Sequence, residues 1–88
     1  MPHTLTEMTI TLRLFSIACD LGGFRERTVQ LPVGSRAESV LDLLESAHPR
    51  FAGLRRSVRL AVNHTYVAND HLLSEGDEVA VIPPVSGG

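Results

Sequence analysis

The sequence predicts a two-layer α+β domain in which one helix packs on one face of a mixed sheet. Three observations carry this expectation. Alternating apolar residues mark strands near both ends of the chain, one apolar stripe at helical spacing lies between them, and clusters of Gly, Pro, Asn and Asp separate the segments. At 88 residues the chain suits one small domain. A chain of this size buries roughly 60% of its unfolded surface, so the core is modest. The hydrophobic fraction of 43% is ordinary for a globular protein.

Residues 1–8 show no period and are expected to form a flexible leader. The run Thr9 to Phe15 alternates, with Ile10, Leu12 and Leu14 on one side and Thr11 and Arg13 on the other, which predicts a half-buried strand. Leu21-Gly22-Gly23 supplies a turn, and Phe24 to Leu31 reads as a second strand pairing with the first as a hairpin. Ser35-Arg36-Ala37-Glu38 matches a capping box, in which the Ser35 hydroxyl accepts from the Glu38 amide and the Glu38 carboxylate reaches back. Ala37, Val40, Leu41, Leu44 and Ala47 follow as a helical stripe, and Pro49 stops the helix near His48. Arg50 to Ser57 is irregular, with Phe51 and Leu54 as candidate anchors. Val58 to Val62 is a third strand, Asn63-His64-Thr65 a tight turn, Tyr66-Val67 a short fourth strand and Glu78 to Ile82 the last. Gly76 in the preceding loop can take positive φ. The order suits a β-grasp, with the last strand pairing in parallel with the first at the centre of the sheet. The domain is expected to span 9–82, with 83–88 as a projecting tail.

Several function classes fall away on composition. A net charge of −2 argues against phosphate-driven nucleic-acid binding. No apolar run approaches the ~20 residues of a membrane-spanning helix. Residues 1–8 lack a basic region followed by an apolar one, so the expected location is cytoplasmic. Cys19 is the only cysteine and cannot form an internal disulfide or a four-thiolate cluster; a bland half-buried thiol is the expectation. His3, His48, His64 and His71 match no metal-ligand spacing, and no metal is expected. Glu75, Asp77 and Glu78 are read as a solvated turn in preference to an acid–base pair. The arginines are scattered and read as a solvated face.

The tail is the informative feature. A chance Gly-Gly end occurs about once in 200 chains at ~7% glycine. Here Gly87-Gly88 directly follows a firm strand, and Pro83-Pro84 offers no further ladder donors and directs the chain out of the sheet. The six residues beyond Ile82 reach roughly 20 Å when extended. Val85 and Ser86 are small, and nothing after them obstructs a narrow channel. A terminal carboxylate of pKa near ~3.5 is a poor electrophile. Acyl chemistry at Gly88 therefore needs activation by a partner, for example as an acyl-adenylate. Sulfur transferred to that adenylate would give a thiocarboxylate, a good nucleophile.

At this point the chain resembles the MoaD family, the small subunits of molybdopterin synthase, within the ubiquitin-like and ThiS-like superfamily. The run Leu73 to Gly88 fits the family pattern L-x-x-G-D-E-V-A-x-x-P-P-V-x-G-G at every fixed position. Ile10 to Ser16 and Ala61-Val62-Asn63 resemble its first strand and its A-V-N turn, so the resemblance spans roughly 8–88. It implies a β-grasp fold and a non-catalytic carrier whose catalytic partner residues lie on another subunit. Gly88 would be adenylated by an E1-like, MoeB-type enzyme that uses ATP, then converted to a thiocarboxylate by a sulfur donor protein. The tail would insert into a large MoaE-type subunit, within a heterotetramer, and give its sulfur to cyclic pyranopterin monophosphate. Phe15 matches a family aromatic that packs on the partner, and Pro83, Pro84, Val85, Ser86 and Gly87 would line the contact. The chain itself is expected to bind no cofactor. Carriers for thiamine or cysteine biosynthesis share the fold and the ending. A ubiquitin-like protein modifier is a third reading, predicting lysine-linked conjugates, and a plain binding module with an incidental tail a fourth.

Overall fold

The alternation that begins at Met8 builds the first strand of the sheet. The computed structural model describes residues 6–84. Strand β1 (Glu7–Leu14) buries Met8, Ile10, Leu12 and Leu14 and turns Thr9, Thr11 and Arg13 outward. It starts two residues before the expected Thr9. Met8 continues the period-2 set and is 3% exposed, so the last two residues of the expected 1–8 leader belong to the sheet.

Between the first two strands lies a short helix that sequence reasoning took for a turn. Helix α1 (Ile17–Gly22) is too short to display a helical period, and its glycines read as a break. Gly22 is glycine for a packing reason: a Cβ there would overlap Leu14 Cδ1. Gly23, at φ 83°, closes the helix by donating its N–H to the Cys19 carbonyl at 2.8 Å. Strand β2 (Glu26–Pro32) then returns antiparallel to β1, pairing Arg13 with Glu26 and Met8 with Leu31.

Helix α2 (Ser39–Ala47) buries Val40, Leu41 and Leu44 against the sheet. The expected capping box does not form. The amides of Ala37 and Glu38 donate instead to the carbonyls of His71 and Asn69 at 2.8 and 2.9 Å. Ser35 Oγ donates to the Pro32 carbonyl at 2.7 Å, and the Arg36 amide donates to Ser39 Oγ at 3.0 Å. With the Ala37 and Glu38 amides held by a distant loop, the helix starts four residues after Ser35, and its first donors go to the Arg36, Ala37 and Glu38 carbonyls. It ends at Ala47, before Pro49, as the sequence requires.

The stretch read as irregular holds a 3₁₀ turn, Pro49–Phe51, and helix α3 (Ala52–Arg55). Phe51 is fully buried and is the largest side chain in the core. Arg55 ties α3 back to α2 through Glu45 and Asp42, each at 2.9 Å. The hydrogen bonds it donates to Glu45, and then to Asp42, raise the pKa of the Arg55 guanidinium.

Strands β3 (Arg59–Val62) and β4 (Thr65–Val67) form a hairpin across Asn63-His64, whose φ values of 50° and 72° fit a primed two-residue turn. Strand β5 (Glu78–Ile82) closes the sheet in the order β2-β1-β5-β3-β4. β5 runs parallel to β1 and antiparallel to β3, at the centre, where Val79 and Val81 are fully buried. The result is the expected α+β β-grasp, with the helices on one face and the other face of the sheet open.

Candidate functional site: the root of the C-terminal tail and the open sheet face

The end of β5 determines where the tail leaves the domain. Phe15, the residue after β1, donates its N–H to the Val81 carbonyl at 3.2 Å, extending the parallel pairing of Leu14 with Val81 by one bond. Ile82 is half-buried, Pro83 is buried and Pro84 is exposed. Pro83 therefore packs against the domain at the root of the tail, and Pro84 is the first exposed residue beyond it. Val85, Ser86, Gly87 and Gly88 lie outside the described residues, as do His3 and the rest of 1–5.

The sheet's alternation assigns the residues around this root to the open face. One row runs Arg13, Ala80, Ala61, Tyr66 across β1, β5, β3 and β4. The next row, nearer the tail, holds Phe15, Ile82 and Arg59. Ala61 and Ala80 pair at the centre, so the face is low there, with larger side chains around it. Phe15 is 41% exposed and Tyr66 55%. Each aromatic lies under a guanidinium: Arg13 is 5.4 Å from the Phe15 centroid, and Arg59 is 4.3 Å from that of Tyr66. Arg13 also pairs with Glu26 at 3.5 Å and Glu78 at 3.4 Å. Aromatic and arginine side chains standing over small residues, with a paired rim, have the composition of a protein-docking surface. Of this set, sequence reasoning singled out Phe15 alone. The signal for Arg59, Tyr66 and Ile82 was present in the strand alternation, but their shared face emerges only from the register.

The acidic loop before β5 is structural. Glu75 Oε1 accepts from the Thr9 amide at 2.9 Å, and the Gly76 amide donates to the Thr9 carbonyl at 2.8 Å, with Gly76 at φ 84°. Asp77 accepts from the Ser74 amide and from Asn63 Nδ2, while Asn63 Oδ1 accepts from the Glu78 amide. The three carboxylates are thus engaged separately and do not converge on one point. Cys19 is half-buried in α1, beside an open depression of about 660 Å³ lined by Phe15, Asp20 and Arg25 among others. Among the described residues no three His, Cys, Asp or Glu side chains gather as metal ligands. No helix among them is long and apolar enough to cross a membrane.

Comparison with known proteins fits this geometry. The ThiS family model matches residues 12–88. The molybdopterin synthase sulfur carrier subunit of Arabidopsis thaliana is 35% identical over 83 residues, covering 94% of this chain and 86% of the relative. Among solved structures, a putative molybdopterin converting factor subunit 1 from Pyrococcus furiosus superposes with a TM-score of 0.78 at 29% identity, over 89% of this chain and 99% of that one. SAMP1 from Haloferax volcanii, a small archaeal modifier protein, superposes at 0.74 with 28% identity, over 91% and 99%. On the match across its sheet, helices and terminal run, the chain belongs to the ThiS family of β-grasp proteins.

Proposed function

We propose that this chain is the sulfur carrier subunit of a molybdopterin synthase, working in the cytosol with its C-terminal glycine as the reacting residue. The observation that carries the reading is the Leu73–Gly88 run, whose G-D-E segment locks β5 into the centre of the sheet and whose Pro83 fixes the root of a Gly-Gly tail. Relatives bearing the sulfur carrier name align over nearly the whole chain.

In the proposed cycle an E1-like partner supplies ATP. The Gly88 carboxylate attacks the α-phosphorus, pyrophosphate leaves, and an acyl-adenylate remains. Sulfide-level sulfur from a donor protein attacks the acyl carbon, AMP leaves, and the terminus becomes a thiocarboxylate. The tail then enters a large subunit that docks on Phe15, Pro84 and the open face. There the thiocarboxylate sulfur is the nucleophile toward cyclic pyranopterin monophosphate, and the catalytic side chains belong to the large subunit. This chain's contribution is reach and orientation: a rigid root, a side-chain-free end and a docking face. All eight cationic side chains are arginines, and the 88 residues include no lysine, so no ε-amine on the chain competes for its own activated terminus.

The test is intact-protein mass spectrometry after incubation with the E1-like enzyme of the same genome, ATP and hydrosulfide. The expected result is the mass gain of one oxygen replaced by sulfur, absent when Gly88 is deleted. An unchanged mass with an enzyme that demonstrably adenylates another carrier overturns the proposal. The similarity to SAMP1 favours one second reading, a protein modifier; the same incubation with cell extract would then yield conjugates through lysines of other proteins.

A further inference from the structure

The β2 edge of the sheet borders an apolar groove on the helix-covered side. β2 ends the strand order, so among the described residues one side of it has no neighbour. The Leu14 amide donates to the Arg25 carbonyl and the Val33 amide to the Thr6 carbonyl, which places the odd-numbered residues of β2 in the hydrogen-bonded pairs with β1. The N–H and C=O groups of Glu26, Thr28 and Gln30 therefore point away from the sheet, an open ladder of three residues.

Directly beneath this edge, between β2 and α2, runs an apolar groove of about 320 Å³. Phe24 and Val29 form one wall, and Leu43 and Ala47 form the other. Leu43 is 38% exposed although it sits on the helix that builds the core. The charged groups at the groove are basic. Arg27 lies across its Phe24 end, 4.1 Å from the ring centroid, and His48 stands at the same end of α2. Arg50 lines the adjoining depression with His48, while Arg25 belongs to the separate depression beside Cys19. Of the nearby carboxylates, Asp20 sits in that adjoining depression, and Glu26 faces the opposite side of the sheet in its pair with Arg13. No carboxylate lines the groove itself.

We infer that this edge and groove bind an extended segment of a partner protein, with apolar side chains at alternate positions followed by carboxylates. The backbone of such a segment pairs with Glu26, Thr28 and Gln30. Its apolar side chains, on one face by the period of two, fall into the groove. Its carboxylates reach Arg27 and, in the adjoining depression, Arg50. A second copy of this chain is a poorer occupant, because edge-to-edge pairing brings two arginine-rimmed grooves together. The site lies on the helix-covered side of the sheet and the tail root borders the open side, so both can be engaged at once. The inference stands apart from the sulfur-carrier reading.

The probe is a fluorescein-labelled peptide Ser-Val-Thr-Ile-Thr-Asp-Asp-Asp, titrated by anisotropy against the full chain, with amide NMR on the same complex. Saturable binding is expected, weakened on the order of tenfold by Arg27→Glu and by replacing the peptide's aspartates with lysines. The amides of Thr28 and Gln30 should become protected from hydrogen exchange, and the shifts should cluster on β2 and α2. Arg27→Glu alters an exposed side chain, and its unchanged amide spectrum elsewhere verifies folding. Absence of binding, shifts centred on Arg59 and Tyr66, or concentration-dependent dimerisation through β2 would each overturn the inference.

Discussion

Shortening the tail by one residue tests whether its root is as fixed as the structure makes it. Deleting Ser86 withdraws the terminal carboxylate by ~3.3–3.6 Å when the tail is extended. Recovering that distance means unzipping the root. The Phe15 amide would lose the Val81 carbonyl, a bond worth about 0.5–1.5 kcal/mol, and Pro83 would leave its buried position. A displacement of even ~1 Å at a reacting centre can cost about a hundredfold in rate. Under the proposed cycle, loading of the deleted chain by the E1-like enzyme, followed as thiocarboxylate by intact mass, should therefore fall by roughly a hundredfold or more. Its melting temperature should not change, since the deletion lies beyond Pro84. A glycine inserted after Ser86 is the matched control: extra length can bulge, so loading should fall far less. Equal loading of the deleted and parent chains would show that reach from this root does not limit the reaction.

Three further outcomes follow from individual residues. Phe15→Asp places a carboxylate on the open face beside the tail root, and co-elution with the large subunit should be lost while the amide spectrum stays folded; retained co-elution would remove Phe15 from the interface. Phe51→Ala removes the largest fully buried side chain and should lower stability by about 3–5 kcal/mol, read from denaturant unfolding. Gly76→Val forces a β-branched residue to φ 84° and should cost about 1–3 kcal/mol, with loading intact in the fraction that remains folded.

The strands were legible because burial on one face imposes a period of two. Ile10, Leu12 and Leu14, and Val79 with Val81, identify β1 and β5 without reference to any partner. Helix α2 was legible from its stripe, but its start was not. The donors of Ala37 and Glu38 are taken by Asn69 and His71, more than 30 positions away, and local capping logic has no access to that contact. Helix α1 was missed because six residues cannot establish a 3.6 period and Gly22 answers to Leu14, not to a turn. At the site, the Pro83-Pro84 break and the Gly-Gly ending were readable from the last residues alone. The docking face was not, since Arg59, Tyr66 and Ile82 meet Phe15 only through the register of four strands. Pro83 shows the same limit: both prolines stop the ladder, but only packing separates the buried anchor from the exposed Pro84.

The acidic loop supplies the sharpest separation of structure from chemistry. Glu75, Asp77 and Glu78 sit thirteen or fewer residues from Gly88, and their pattern could pass for an acid–base pair. Their hydrogen bonds say otherwise. Asp77 takes the Ser74 amide at 2.8 Å and Asn63 Nδ2 at 3.0 Å, and its own carbonyl receives the Thr11 amide at 2.9 Å. One residue thus joins the start of β5 to β1 and to the β3–β4 turn, and through them holds the register that delivers the tail. Asp77→Ala leaves an amide and a side-chain NH₂ to water, since the loop is exposed, at a cost of about 1–2 kcal/mol. Asp77→Asn keeps one acceptor and should cost less. If the role is structural, loading measured well below the melting temperature should be near parental in both variants, with the loss appearing only as a lowered unfolding midpoint. A large fall in loading by a fully folded Asp77→Asn chain would instead mean that the carboxylate charge itself is read by the activating enzyme.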